Sequence, residues 1–214
     1  GRGDSADYSA FHIMDVESME QVAEYKGKIS TKDFGNLLVN TATEYNNALL
    51  VVENNNIGWA TIQQVIDREY ENLFYMSKDL QVDDVHRQVN NKINRAEKQL
   101  VPGFTVTQKT RPLIVAKLEE FFREKSVIVH SNRLIDELFV FIYKNSKTEA
   151  LDGYNDDLVM AYSILLWIRD TAIRIQSERN ELQSSLVGAI GNLNEKTPIV
   201  MAKHKPKNNP YEID

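Results

Sequence analysis

The sequence GYNDDLVMAYSILLWI, from Gly153 to Ile168, places two adjacent carboxylates at the start of a strongly apolar helix. Asp156 and Asp157 repel each other, and charges beside a helix that must pack in a core are costly unless a cation lies nearby. Acidic side chains also cap the free amides of a helix start, so capping explains one of the two acids. The other acid is therefore a candidate metal ligand.

A further acid stands at the end of an apolar segment. ALLVV, Ala48–Val52, has the continuous apolar character of a parallel central strand, and Glu53 follows it directly. Because α/β sheets bind ligands at the carboxyl ends of their strands, Glu53 is a candidate metal ligand. The alternative is a solvated acid that accepts amide hydrogen bonds from the Asn-rich turn at residues 54–56. If the fold brings Glu53 to Asp156 and Asp157, the carboxylates form a divalent-metal site suited to phosphodiester chemistry.

Composition excludes several classes of protein. The 214 residues include no cysteine, which rules out disulfides and thiolate zinc sites. No apolar run reaches the roughly 18–20 residues of a membrane span, and the N-terminus lacks a signal-peptide pattern, so we expect a cytosolic protein with no membrane partner. The sequence contains no phosphate-binding loop and no dinucleotide-binding glycine pattern. A net charge of −6 argues against a nucleic-acid coat protein, yet allows an enzyme that handles DNA through a local patch.

Alternating strand and helix patterns predict an α/β layer fold. Ser9–Val16 and Glu20–Ile29 predict an antiparallel hairpin, and a helix is expected to start near Thr31 and Asp33. The other predicted elements are helices over Trp59–Tyr70, Lys109–Lys125 and Asn132–Asn145, and short strands over Asn72–Met76 and Val127–His130. A polar loop is expected to lead from the last of these helices to Gly153.

Polar segments interrupt this pattern twice. Residues 78–102 are charge-mixed and weakly helical, which indicates an insertion or a mobile arm. The ordered domain is expected to span residues 1–175, and residues 176–214 form a polar tail that is expected to be disordered or dependent on a partner. Lys109 and Arg111 lie beside a predicted helix start, where cations either contact a phosphate backbone or belong to a solvated turn.

Four motifs taken together resemble the C-terminal nuclease domain of the large terminase subunit of tailed bacteriophages, of the T4-like type. They are GRGDSADYSAFHIMDV, LLVVENNNIGW, GFTVTQKTRPLIVAKLEEFF and DGYNDDLVMAYSILLW. The resemblance implies a ribonuclease-H-like fold, a mixed central sheet flanked by helices whose acids bind two Mg²⁺ or Mn²⁺ ions. It implies cutting of concatemeric double-stranded viral DNA in the cytoplasm of the infected bacterial host. The implied partners are the terminase ATPase domain, the small terminase subunit and the portal.

The resemblance also implies roles for particular acids. Glu53 matches the acid at the end of the central strand, and Asp157 matches the acid on the final helix, which leaves Asp156 as a capping or supporting acid. Asp7 matches a further acidic position in the Gly-rich turn. The family's first metal-binding aspartate lies on a strand before that turn, whereas this sequence begins at Gly1. Either that first strand is truncated, which we expect, or the numbering begins after it, or Asp4 or Asp7 takes its place.

The implied DNA contacts are to the backbone and come from basic residues, namely Lys109, Arg111, Lys92, Arg95 and Lys98. Two other interpretations stay open. One is another ribonuclease-H-like nuclease, such as a junction resolvase or an integrase core. The other is a non-catalytic domain that docks on DNA or on the portal and whose acids only cap helices.

Overall fold

The computed structural model describes residues 8–77, 100–144 and 147–169. These residues form a mixed α/β structure with five helices and three small antiparallel sheets, each of two strands. The predicted α/β class is therefore confirmed at this level. The chain divides between Ile175 and Gln176 into two units, and every described residue belongs to the first. Within the described ranges, no helix combines the length and the apolarity needed to cross a bilayer.

The N-terminal hairpin is present as predicted. Strands β1 (Ser9–Asp15) and β2 (Glu20–Gly27) pair antiparallel, with a register shift between Ile13 and Met14. Helix α1 (Thr31–Glu44) follows, and the hydroxyl of Ser30 caps it by accepting a hydrogen bond from the Asp33 amide at 3.1 Å.

Residues 48–53 do not form the continuous strand that we predicted. Leu50 makes an isolated parallel bridge to Leu73, and Glu53 makes another to Phe104. Because the backbone partners change from Asn72 and Phe74 to Phe104, neither ladder extends far enough to become a regular strand. The parallel direction of both bridges agrees with the prediction.

The elements around residues 48–53 are short. Helix α2 (Gly58–Asp67) follows this segment, close to the predicted bounds. Strand β3 (Tyr75–Ser77) then pairs antiparallel with β4 (Leu100–Pro102). Of the predicted insertion, residues 78–99 lie outside the described residues.

The next helices differ from the prediction in one place. Helix α3 (Thr110–Arg123) carries Pro112 in its first turn, as predicted. Helix α4 (Asn132–Val140) ends earlier than predicted, because Phe141–Lys144 forms strand β5, which pairs with strand β6 (Lys147–Ala150). The predicted polar loop in this region is therefore wrong in part, since residues 147–150 belong to the sheet.

The strand predicted at Val127–His130 reduces to a single bridge. Ile128 forms an isolated parallel bridge to Glu20 at the start of β2, and their segments exchange two backbone hydrogen bonds of 2.9 and 3.0 Å. This short contact still joins the chain between α3 and α4 to the N-terminal hairpin.

Helix α5, residues 157–169, lies between two parts of the core. Leu158, Val159, Tyr162 and Leu166 pack in one hydrophobic cluster. Another face of the helix packs in a second cluster through Met160, Ile164 and Ile168. A helix that is apolar around most of its circumference is expected to be buried in this way. The burial of α5 fixes the position of the two acids at its start.

Candidate active site

Five charged residues line a cavity of about 540 Å³, namely Glu53, Arg111, Asp156, Asp157 and Arg169. Glu53 ends the segment 48–53, Arg111 lies in the first turn of α3, and Asp156 immediately precedes α5. Burial raises the pKa of Glu53, the positive charge of Arg111 opposes this shift, and the negative charge of Asp156 adds to it. The fold therefore brings Glu53 and Asp156 close enough for their charges to interact, although they are far apart in sequence.

Arg111 holds Asp156 in place. Its Nη2 donates a hydrogen bond to Asp156 Oδ2 at 2.6 Å, and both Nη2 and Nε donate to the backbone oxygen of Thr148, at 2.9 and 3.1 Å. The guanidinium therefore fastens Asp156 to strand β6. Arg111 pairs with Asp156, and its positive charge also acts on Glu53. The two carboxylates can therefore lie near each other without the full cost of their repulsion.

Asp157 faces a different set of charges. Its Oδ2 lies 3.4 Å from Nζ of Lys26 on β2, and the same ammonium group donates a hydrogen bond to Glu137 on α4. Burial raises the pKa of Asp157, Lys26 opposes the shift, and the charge of Glu137 adds to it. We expected Asp157 to face Glu53 and Asp156 to cap the helix. In the structure, both aspartates line the same cavity as Glu53. Asp156 is the one whose charge acts on Glu53, and Asp157 pairs with Lys26.

Glu137 caps α5 in place of either aspartate side chain. Its Oε2 accepts hydrogen bonds from the backbone amides of Leu158 at 2.8 Å and Val159 at 3.2 Å. Our reading of the sequence missed Glu137 and Lys26. A signal for Glu137 was present, because it lies three residues after Leu134 on the buried stripe of α4, where a solvated acid is not expected.

Side-chain hydrogen bonds join the Asn-rich turn after Glu53 to β4 and to the residues that follow it. Asn54 Nδ2 donates to the Pro102 backbone oxygen at 3.0 Å, and Asn55 Nδ2 donates to the Val106 backbone oxygen at 2.7 Å. Among the described residues, no hydrogen bond to the Glu53 carboxylate contributes to its pKa. The turn therefore fixes the backbone of Glu53 and leaves its carboxylate available to a ligand.

Gly58 is required by a close approach at this turn. A Cβ atom at residue 58 would overlap the backbone oxygen of Glu53. We expect Gly58→Ala to lower the free energy of unfolding by about 1–3 kcal/mol, as overpacking does. Helix propensity alone predicts the opposite sign, a gain of up to about 1 kcal/mol. Urea unfolding measures the difference, and a stabilised variant would show that the close approach has no energetic consequence.

The donors at the cavity fit a divalent cation in part. Mg²⁺ and Mn²⁺ prefer carboxylate oxygens, which Glu53 and Asp156 supply. No group of three or more His, Asp or Glu side chains suited to a metal is found within residues 8–77, 100–144 and 147–169. The predicted third acid, Asp7, and its alternative Asp4 lie outside the described residues.

The predicted DNA-binding residues are described only in part. Lys109 is exposed and immediately precedes α3, two residues before Arg111, which lines the cavity. Lys92, Arg95 and Lys98 lie outside the described residues.

Compared with models of known protein families, the chain matches none of them.

Proposed function

We propose that this chain is a metal-dependent endonuclease domain that cuts double-stranded DNA, of the kind found in phage large terminase subunits. The observation that carries the proposal is the convergence of Glu53 and Asp156, which come from distant parts of the chain, beside Arg111 at one cavity. A pair of carboxylates with an adjacent cation suits the binding of metal ions and of a phosphate group. The resemblance of the four motifs leads to the same function.

Three observations support a ribonuclease-H-like arrangement as part of this proposal. The bridges of Leu50 and Glu53 are parallel, and α5 is buried on two faces. In addition, consecutive residues of β1 and of segment 48–53 line the same cavity, so a backbone edge of each faces it.

The chemistry proposed for the site divides between metal and protein. Glu53 and Asp156 would hold the Mg²⁺ or Mn²⁺ ions, with Asp7 as the third predicted acid, and bound ions supply activation of water and stabilisation of charge at phosphorus. The protein contributes orientation, because Arg111 fixes one oxygen of Asp156 at 2.6 Å. Lys109 would contact the DNA backbone without reading its sequence.

The proposed biological setting follows from the same resemblance. We propose double-stranded viral DNA as the substrate, and the terminase ATPase domain, the small terminase subunit and the portal as partners. The proposed location is the cytoplasm of the infected bacterial host. In this setting the domain would cut concatemeric DNA when packaging of a head begins and ends.

Nicking of supercoiled plasmid DNA in the presence of Mn²⁺ tests the proposed function. We expect Asp156→Asn to reduce nicking by at least about 10- to 100-fold, the loss seen even for residues that only support metal ligands. Asp152→Asn is the matched control, because the Asp152 side chain is 90% exposed and, among the described residues, pairs with Lys144 on the surface. If Asp156→Asn nicks DNA as fast as the unaltered chain, Asp156 is not part of a nuclease site and a docking role is favoured.

A further inference from the structure

We propose that Glu137 and Lys26 are positioning residues that orient the two aspartates at the start of α5 and thereby place Asp156 beside Glu53. The inference rests on the proposed function and extends it to two residues that do not themselves line the cavity. Neither residue contacts Glu53 or Arg111 in the described contacts, so each would act through the backbone and side chains of residues 156–159.

Glu137 is a cap supplied by another helix. Its side chain is 10% exposed, and both carboxylate oxygens are used. Oε2 accepts from the amides of Leu158 and Val159, and Oε1 accepts from Lys26. An ordinary N-cap residue belongs to the helix that it caps and satisfies the same amides locally. A cap from α4 additionally fixes where α5 begins relative to α4 and β2.

Lys26 separates the two aspartates. Its ammonium group lies on the Asp157 side of the helix start, 3.4 Å from Asp157 Oδ2 and 4.7 Å from the centre of the Tyr8 ring. Asp157 Oδ2 is buried and has no hydrogen-bond partner among the described residues, so this ion pair is the contact that holds it. Because Lys26 holds Asp157 on the side of β2, Asp156 is the aspartate that pairs with Arg111 on α3.

The two aspartates thus pair with cations on different elements. Lys26 on β2 engages Asp157, and Arg111 on α3 engages Asp156. Without the contacts of Glu137 and Lys26, either aspartate could turn towards Arg111, because both have the same chemistry and neighbouring positions. The contacts of Lys26 and Glu137 therefore do more than stabilise α5, since they select which aspartate pairs with Arg111.

The test compares Glu137→Ala with Glu137→Gln, which keeps an acceptor for the two amides, and uses Asp136→Ala as the control because Asp136 is exposed on the same helix. All variants are studied at a temperature at which circular dichroism shows them to be folded. One readout is the exchange rate of the Arg111 Nε proton by NMR, and the other is the Mn²⁺ dissociation constant by EPR. The first readout requires no metal.

We expect Glu137→Ala to release Asp156 from Arg111, with exchange of the Arg111 Nε proton faster by about tenfold and Mn²⁺ binding weaker by about 10- to 100-fold. Glu137→Gln and Asp136→Ala should stay near the unaltered chain in both measurements. Unchanged Arg111 exchange in folded Glu137→Ala would overturn the inference and leave Glu137 as a cap alone. If the unaltered chain binds no Mn²⁺, the proposed function fails, while Arg111 exchange still decides the positioning role.

Discussion

Replacing Lys26 with methionine is expected to lower the free energy of unfolding by about 3 kcal/mol, near the lower end of the range for breaking a buried ion pair. The Lys26 side chain is 14% exposed and contacts two carboxylates that are themselves largely buried, Glu137 and Asp157. Burial alone would lower the pKa of Lys26, but the hydrogen bond and the charge of Glu137 raise it, so the ammonium form predominates at neutral pH. The methionine side chain fills similar space and leaves the two carboxylates facing each other.

Chemical denaturation of the chain and three variants measures this effect. Lys28→Met is the matched control, since Lys28 is an exposed lysine two residues away whose ammonium lies over the same Tyr8 ring. Removing one of the facing acids as well, in Lys26→Met with Asp157→Asn, should recover part of the lost stability. An equal loss of unfolding free energy in both single lysine variants would contradict this prediction, because it would show that any loss of positive charge has the same effect.

The stability difference should also depend on pH. Burial and the charge of Glu137 already raise the pKa of Asp157 while Lys26 opposes them, so removing Lys26 raises this pKa further. An acid whose pKa is higher in the folded state takes up its proton more readily there, which favours folding as the pH falls. The difference between Lys26→Met and the unaltered chain should therefore shrink as the pH is lowered through the raised pKa of Asp157.

Patterns within a few residues of sequence were enough to predict the N-terminal hairpin and the start of α1. The hairpin of β1 and β2 and the start of α1 were predicted from strand-like segments, a polar turn and the helix-start residues Thr31 and Asp33, all within a few residues. The boundary between α4 and β5 could not be predicted in this way. The apolar spacing continues from Leu138 into Phe141, and only pairing with residues 147–150 turns Phe141–Lys144 into a strand.

The acids of the candidate site could also be predicted from local patterns, whereas their cationic partners could not. An acid after an apolar segment and an acid pair before an apolar helix identify Glu53 and the two aspartates without any tertiary information. The pairing of Asp156 with Arg111 and of Asp157 with Lys26 involves elements that are far away in sequence. The contact of Lys26 with Glu137 joins residues 111 positions apart, and no spacing rule connects them.

Glu53→Gln is expected to abolish Mn²⁺-dependent cleavage while making the fold more stable. A direct ligand should cost more activity than the roughly 10- to 100-fold loss typical of supporting residues, so we expect a reduction of more than about 100-fold. The variant should gain stability of the order of 1 kcal/mol at neutral pH, because burying an unpaired charge costs more than burying an amide. Loss of activity with gain of stability distinguishes a functional acid from a structural one.

The pH dependence of stability supplies an independent check on Glu53. Burial is the main cause that raises its pKa above the ordinary value of 4.5, and the charge of Asp156 contributes in the same direction against that of Arg111. Because the folded-state pKa is the higher one, stability contributed by protonated Glu53 is lost as the pH rises from the unfolded-state pKa through the folded-state pKa. Glu53→Gln cannot titrate, so its unfolding free energy should fall less over that window.

Glu119→Gln is the control for both measurements, because the Glu119 side chain is 72% exposed and its ion pair within the described part of the chain is a surface contact with Arg123. Such pairs contribute little, so this variant should match the unaltered chain in cleavage and in stability to within about 1 kcal/mol. A Glu53→Gln variant that is less stable than the unaltered chain would mean that the carboxylate contributes to folding. In that case the raised pKa would reflect a structural acid, and the metal-binding role of Glu53 would lose its physical basis.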